Sequence, residues 1–169
     1  MDELLITPVP VDLRLWMQDV ILGWKTIAQG QQWLAANPES YTAQRIAALS
    51  LVDGVVEQVA ADLIHETYLR IVLCSQYRDV VLACQRDFAD RYRLSMESLY
   101  SGTPDKKRTA KLKRFHANRV PILGVQVKDS CPMDGIQSHE WLWIDREPHP
   151  LFAIGTVMGR VRVVRKEKA

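Results

Sequence analysis

Residues 68–74 read YLRIVLC, and the structure assigned to this stretch decides the fold class of the chain. The stretch is rich in β-branched side chains, yet it lies between two segments whose apolar residues recur at helical spacing. Periodicity alone does not distinguish a strand from a buried helix in so short a run. Its position between helical segments favours a helix, which makes the first 120 residues helical throughout.

The first predicted helix is marked most clearly by its apolar residues, which recur at i, i+3 and i+4. It is predicted to begin after Asp12, a favourable cap, and to end at Asn37-Pro38, because proline disfavours helical geometry in the residue before it. The face predicted to pack in the core includes Trp16, Val20, Ile21, Trp24 and Ile27.

Further helices are predicted over residues 41–63, 79–92, 96–100 and 104–118. The last of them follows Thr103-Pro104-Asp105. In this tripeptide threonine can cap the helix, proline fits its first position, and aspartate suits the positive end of its dipole.

After residue 120 the apolar residues alternate or form short runs between turn residues. This pattern predicts strands over residues 122–127, 140–145, 151–158 and 160–166, and the short connections favour an antiparallel meander. The predicted fold class is therefore α+β. A bundle of four to five helices (residues 1–120) ends in a basic helix, and a small antiparallel β-sheet (residues 121–169) packs with it as one domain.

The composition indicates an ordinary globular chain of 169 residues, with 47% hydrophobic and 25% charged residues. No apolar run approaches the roughly 20 residues of a membrane helix, and the N-terminus has acids where a signal peptide needs bases. The three cysteines Cys74, Cys84 and Cys131 have no CxxC spacing, which argues against a disulfide framework and a zinc site. We expect a cytoplasmic protein without a membrane partner.

Positive charge is concentrated in two places, although the net charge of the chain is only +2. Residues 106–120 contain seven basic and no acidic side chains, and residues 151–169 contain five basic and one acidic. A helix so rich in like charges is self-repelling, and phosphates would relieve the repulsion. The residues predicted to bind nucleic acid are Lys106, Lys107, Arg108, Lys111, Lys113, Arg114, Arg119, Arg160 and Arg162.

Residues 85–99, QRDFADRYRLSMESL, resemble part of a prokaryotic helix-turn-helix. Phe88 and Ala89 fall where the first helix of that motif packs on the second, and Ser95 falls at the cap of the second helix. Two residues depart from the pattern: Arg93 stands where the turn usually has glycine, and Gly102 where a buried apolar residue is expected. The resemblance implies DNA reading by the second helix; the alternative is an ordinary corner between helices.

Catalytic motifs are absent from the sequence, which contains no Walker A loop, GxGxxG, GxSxG or HExxH. One group of residues, His139, Glu140, Asp145 and His149, has the side chains for a divalent metal or for acid–base chemistry. Strand alternation would place Glu140 and Asp145 on opposite faces. We therefore assign no catalytic residue, no metal site and no cofactor.

The charge distribution favours a non-catalytic accessory protein that binds nucleic acid, mainly at phosphates, through the basic helix and the last strand. DNA and RNA remain equal alternatives. A second hypothesis is an assembly factor or a subunit of a larger complex, with a nucleoprotein complex as one alternative, whose tryptophan-rich first helix and hairpin bind another protein. Self-association is a further alternative. A third is a small metal-dependent enzyme that uses the region from His139 to His149.

Overall fold

A computed structural model describes residues 2–100, 102–127, 135–148 and 159–167. The strands in chain order are β1 (Asp2–Ile6), β2 (Ile71–Ser75), β3 (Met96–Leu99), β4 (Ile122–Gln126), β5 (Glu140–Trp143) and β6 (Arg160–Lys166). The helices are α1 (Ile27–Ala36), α2 (Tyr41–Leu49), α3 (Val52–His65), α4 (Arg78–Tyr92) and α5 (Asp105–His116), and a 3₁₀ helix covers Leu13–Gln18.

The six described strands form one sheet in the order β1-β6-β5-β2-β4-β3, and every neighbouring pair is parallel. The predicted α+β class, a helical bundle followed by an antiparallel meander, is therefore wrong. Three of the strands come from the first 120 residues. The central strands of a parallel sheet are covered on both faces and show continuous apolar runs, so β2 lacks the alternation that is typical of a half-buried strand.

The central strand β2 is the stretch on which the fold class depended. Its prediction as a helix is wrong, because Ile71–Ser75 pairs with β4 on one side and β5 on the other. All five residues are buried. The two neighbouring strands supply the backbone hydrogen bonds of β2. Their residues lie about 50 and 70 positions later in the chain, so the local sequence does not reveal them.

The segment after α4 is a strand and not a helix. Met96–Leu99 pairs with β4 at the edge of the sheet, so the predicted helix over residues 96–100 is wrong. Arg93 ends α4 in the left-handed conformation, with φ of 53°. The helix-turn-helix resemblance therefore fails, because its second helix is replaced by β3.

The predicted first helix is broken into two pieces. Asp12 caps the 3₁₀ helix as expected, because its carboxylate accepts a hydrogen bond from the Arg14 amide (3.0 Å). The chain then turns at Gly23, whose φ of +67° suits glycine, and α1 begins after a Thr26 cap. Val20 and Ile21, predicted to be core residues, lie in the connection and are 92% and 95% exposed.

Other predicted elements are confirmed within a few residues, namely α4, α5, β4, β5 and β6. The helix predicted over residues 41–63 is two helices, α2 and α3, which are separated at Ser50 and Leu51. The strand predicted over residues 151–158 lies outside the described residues. No helix in the described part of the chain combines the length and the apolarity needed to cross a bilayer.

Alternate residues of β2 face two separate hydrophobic clusters, one on each side of the sheet. Ile71 and Leu73 pack with α2, α3 and α4, whereas Val72 and Cys74 pack in the cluster that contains Phe115 of α5. Helices α3 and α4 therefore cover one face, here called the α4 face, and α5 covers the other.

Cys84 is buried in the α4 face, where burial raises the pKa of its thiol; Cys131 is outside the described residues.

Candidate nucleic-acid interface

The start of α5 is fixed by a tight turn at the end of β3. Gly102 has φ of +88°, and the Tyr100 amide donates a hydrogen bond to the Thr103 hydroxyl (2.9 Å). The cap position is occupied by Pro104 rather than by Thr103, and the Arg108 amide donates to the Pro104 carbonyl (2.9 Å). Since α5 follows the carboxyl end of β3, its first turn lies at the carboxyl edge of the sheet.

One side of α5 packs on the sheet. Phe115 is fully buried, Leu112 packs partly buried in the same cluster, and the Arg70 guanidinium lies 5.9 Å from the Phe115 ring centre. Leu112 and Phe115 thus form the packing face of the helix. Beyond its end, the Arg119 amide donates to the Arg114 carbonyl (3.0 Å), around Asn118 with φ of 60°.

The opposite side of α5 is basic and exposed. Lys106, Lys107 and Lys113 project from an arc of about 120°, opposite to Phe115, at 3.6 residues per turn. Among the described residues these lysines make no ion pair within 4 Å. Arg119, just after the helix, is also exposed. These four cations are available to a ligand.

Three other bases of the predicted set are engaged with the protein. Lys111 donates to the Ser98 carbonyl at the end of β3 (2.6 Å), and Arg114 forms an ion pair with Glu97 (2.7 Å). Arg108 is half-buried. Lys111 and Arg114 hold α5 against the edge strand, so they contribute more to its position than to its free charge.

The two arginines predicted on the last strand have carboxylate partners. Arg162 is only 6% exposed and lies 3.1 Å from both Asp62 and Glu140. Arg160 pairs with Asp2 at 2.9 Å and with Glu140 at 3.6 Å. The hydrogen bond from Arg160 to Asp2 raises the pKa of the arginine.

The structure does not bring these arginines together with α5. Arg162 faces the α4 face of the sheet, where Asp62 lies on α3. Between β6 and β4 lie β5 and β2, which places β6 and β4 about 14 Å apart at the usual strand spacing. The predicted basic residues are thus split between two faces.

His116 links the end of α5 to the segment before β5. Its Nε2 atom accepts a hydrogen bond from the Gln137 amide (3.1 Å), which requires this nitrogen to be unprotonated. Burial lowers the pKa of His116, and the nearby Arg70 lowers it further. The neutral ring therefore fastens the basic helix to the neighbouring chain segment.

A polar network at the carboxyl edge was not predicted from the sequence. The Asp145 carboxylate, just after β5, accepts hydrogen bonds from the Ser75 hydroxyl and from the Gln76 amide (3.2 Å). Burial raises the pKa of Asp145 against these hydrogen bonds. Gln126, at the end of β4, donates to the Gln76 carbonyl (3.4 Å). The sequence feature that could have predicted this network is a polar residue directly after each apolar run. Such residues come together because the strands of a parallel sheet end at one edge.

The residues of the predicted metal or catalytic group are separated. His139 precedes β5 and accepts a hydrogen bond from the Arg70 amide (3.0 Å), whereas Asp145 follows β5 at the opposite edge. Glu140 is paired with Arg162, and His149 lies outside the described residues. Within the part of the chain that the structure describes, no group of three or more His, Cys, Asp or Glu side chains is arranged to hold a metal.

Comparison with known proteins identifies the fold. No family model matches the sequence, and no curated protein matches it. Among solved structures, the C-terminal part of the Fun30 ATPase domain superposes with a TM-score of 0.58 at 10% identity, over 93% of this chain. The Sulfolobus solfataricus SWI2/SNF2 ATPase core in complex with dsDNA gives 0.58 at 15% identity, over 83% of this chain. Domain 2 of the DEAD-box helicase Mss116p bound to an RNA duplex gives 0.53 at 14% identity, over 69%.

This chain spans only part of each of these neighbours: 58% of the Fun30 fragment, 32% of the Sulfolobus core and 50% of the Mss116p domain. At these identities the likeness shows a shared fold. The chain thus has the parallel α/β fold of helicase and SWI2/SNF2 domains.

Proposed function

We propose that this chain binds nucleic acid through the outward side of α5, with most contacts made to phosphates. The observation that carries the proposal is the arc of Lys106, Lys107 and Lys113, which is exposed and lies opposite the packed Phe115. Three lysines on one side of a helix, without carboxylate partners among the described residues, form a local positive potential that attracts a polyanion.

Two further observations support this function. The first turn of α5 lies at the carboxyl edge of the sheet, the same edge that carries the polar network of Ser75, Gln76, Gln126 and Asp145, and open α/β sheets bind ligands at that edge. The fold is similar to that of a SWI2/SNF2 core in complex with dsDNA and of a helicase domain bound to an RNA duplex. Arg160 and Arg162 are left out of the proposed surface because acidic side chains already pair with them.

The test is a fluorescence anisotropy titration of labelled 20-base-pair DNA and RNA duplexes at several salt concentrations. The parent protein should bind at low salt and lose affinity as salt rises, with a log–log slope that reflects the number of phosphates neutralised. The variant K106E/K113E should lose about 10-fold or more in affinity, and its salt slope should be shallower by about 2.

The matched control is K25E/R93E, which makes the same change in net charge at two exposed residues outside α5. It should keep a salt slope close to that of the parent. Equal losses in the two variants would show an effect of net charge alone, and no binding of either duplex by the parent at low salt would refute the proposal. Circular dichroism of both variants checks that the fold is retained.

A further inference from the structure

A groove of about 750 Å³ lies on the α4 face, far from the basic side of α5. One wall is the strap, defined here as residues 9–19, and the other is the outer side of α4 with Leu82, Ala83 and Asp87. The Val9 amide anchors the strap by donating to the Ser50 carbonyl (2.9 Å). The groove is therefore part of the folded domain.

The inside of the groove is held in place by stacked and paired side chains. The Arg45 guanidinium lies 4.8 Å from the centre of the Trp16 ring and pairs with the Asp79 carboxylate. Trp16 comes from the strap, Arg45 from α2 and Asp79 from α4. The two contacts of Arg45 therefore connect these three elements. A preformed groove binds a partner without first paying for its own ordering.

Several apolar side chains in this groove are exposed to solvent. Leu15 of the strap is 74% exposed, Leu82 of α4 is 42% exposed and Val9 is 44% exposed. Val20 and Ile21 directly follow the strap, and they are almost fully exposed. Contiguous exposed apolar side chains rimmed by polar groups are typical of interaction sites.

The rim of the groove is acidic. Five aspartates and two arginines line it, and of these aspartates Asp19 and Asp87 form no ion pair with any described residue. Asp12, Asp53 and Asp79 have arginine partners, but their side chains stay 52%, 46% and 41% exposed. Burial raises the pKa of Asp87, and the carboxylates of Asp53 and Asp90 add to this effect against Arg86 and Arg91.

We propose that this groove is a docking site for a basic amphipathic helix of a partner protein. The apolar side of such a helix would cover Leu15 and Leu82, and its lysines or arginines would lie against Asp19 and Asp87. The charge selects this partner, since an acidic helix would meet the aspartates and a nucleic acid would be repelled by them. The site is separate from the proposed nucleic-acid surface, because α5 covers the opposite face of the sheet.

The probe is a fluorescein-labelled 14-residue peptide of leucine and lysine, with leucines at helical i, i+3, i+4 spacing. A groove of this size buries little area, so we expect a dissociation constant of about 10–100 μM at low salt. A peptide of the same composition in scrambled order, and a patterned peptide with glutamate for lysine, should each bind at least about 10-fold more weakly. A change in tryptophan emission on peptide binding that W16F abolishes gives a second readout inside the groove.

Two pairs of variants locate the peptide. L15Q/L82Q should weaken binding by about 10-fold, whereas its control L5Q/I64Q changes exposed apolar residues outside the groove and should bind like the parent. D19N/D87N should weaken binding and reduce its salt dependence, while E39Q/E66Q should not. All four variants should bind duplex DNA like the parent, which separates this test from that of the proposed function.

Two results would overturn the proposal. One is peptide binding that the groove variants leave unchanged. The other is sedimentation of the parent as an oligomer at low salt that L15Q/L82Q abolishes, because the occupant would then be a second copy of this chain.

Discussion

Helix α5 and strand β6 contain the two most basic stretches of the chain, but the fold leaves bases of α5 exposed and pairs those of β6 with acids. On α5, Lys106, Lys107 and Lys113 face solvent and have no carboxylate partner within 4 Å among the described residues. On β6, Arg162 is buried between Asp62 and Glu140. The number of bases in a stretch of sequence therefore does not give the charge that a ligand meets. That charge also depends on the acids that the fold places beside the bases.

The origin of the difference lies in the neighbours of the two elements. β6 lies between β1 and β5, whose first residues Asp2 and Glu140 are acidic and stand next to Arg160 and Arg162. α5 lies on the surface of the sheet, where its outward side meets no other element among the described residues. Acidic residues from distant parts of the sequence therefore neutralise β6 and leave most of α5 charged.

The strongest test of this comparison is Arg162→Ala. This change leaves the buried Glu140 carboxylate and Asp62 without their main partner, so we expect a loss of about 3–5 kcal/mol in the free energy of unfolding. Urea denaturation followed by tryptophan fluorescence measures it. The double variant R162M/E140Q removes both charges and keeps the volume, and it should recover most of the loss. A loss below about 1 kcal/mol for R162A would mean that Arg162 is not in a buried ion pair.

An intermediate effect is expected at His116, which fastens α5. His116→Ala removes the acceptor for the Gln137 amide and should cost about 1 kcal/mol at pH 7.5. The folded protein lowers the pKa of His116, so it favours the neutral ring, and this contribution to stability is present above pH 6.5. It is lost as the pH falls through the lowered pKa. The difference in stability between parent and variant should therefore shrink between pH 7 and pH 5; a constant difference would show that His116 does not titrate in this contact.

The smallest effect on stability is expected for the lysines of α5. Lys106→Ala, Lys107→Ala and Lys113→Ala should each change the free energy of unfolding by less than about 0.5 kcal/mol, since these side chains are exposed and form no ion pair with a described residue. Any gain would come from reduced repulsion along the helix. The same urea titrations provide the measurement. Losses above about 1 kcal/mol would indicate contacts that the structure does not contain and would weaken the distinction between α5 and β6.

Local patterns predicted those elements whose structure depends on residues close in sequence. The 3.6-residue period located α4 and α5. The Asp12 cap and the Asn37 helix end were also found, because capping involves atoms only a few residues apart. The break between these two ends was not predicted, since the apolar period continues across the turn at Gly23.

The candidate site was predicted only in part. The exposed lysines of α5 could be identified from one short segment, and the polar residues at the ends of β2, β4 and β5 could not. Ser75, Gln126 and Asp145 are separated by 51 and 19 positions in the sequence and come together only because parallel strands end at a common edge. The pairing of Arg162 with Asp62 depends on the same long-range topology.

The sequence by itself determined the periodic helices, the capping residues and the concentration of seven bases in residues 106–120. The tertiary structure alone decided that YLRIVLC contains a strand, that the sheet is parallel, and which of the bases stay free. The physical reason is the range of the interactions. Helical hydrogen bonds and caps join residues at most a few positions apart, whereas a strand such as β2 is stabilised by partners about 50 and 70 positions away, and a charge is neutralised by whichever acid the completed sheet brings next to it.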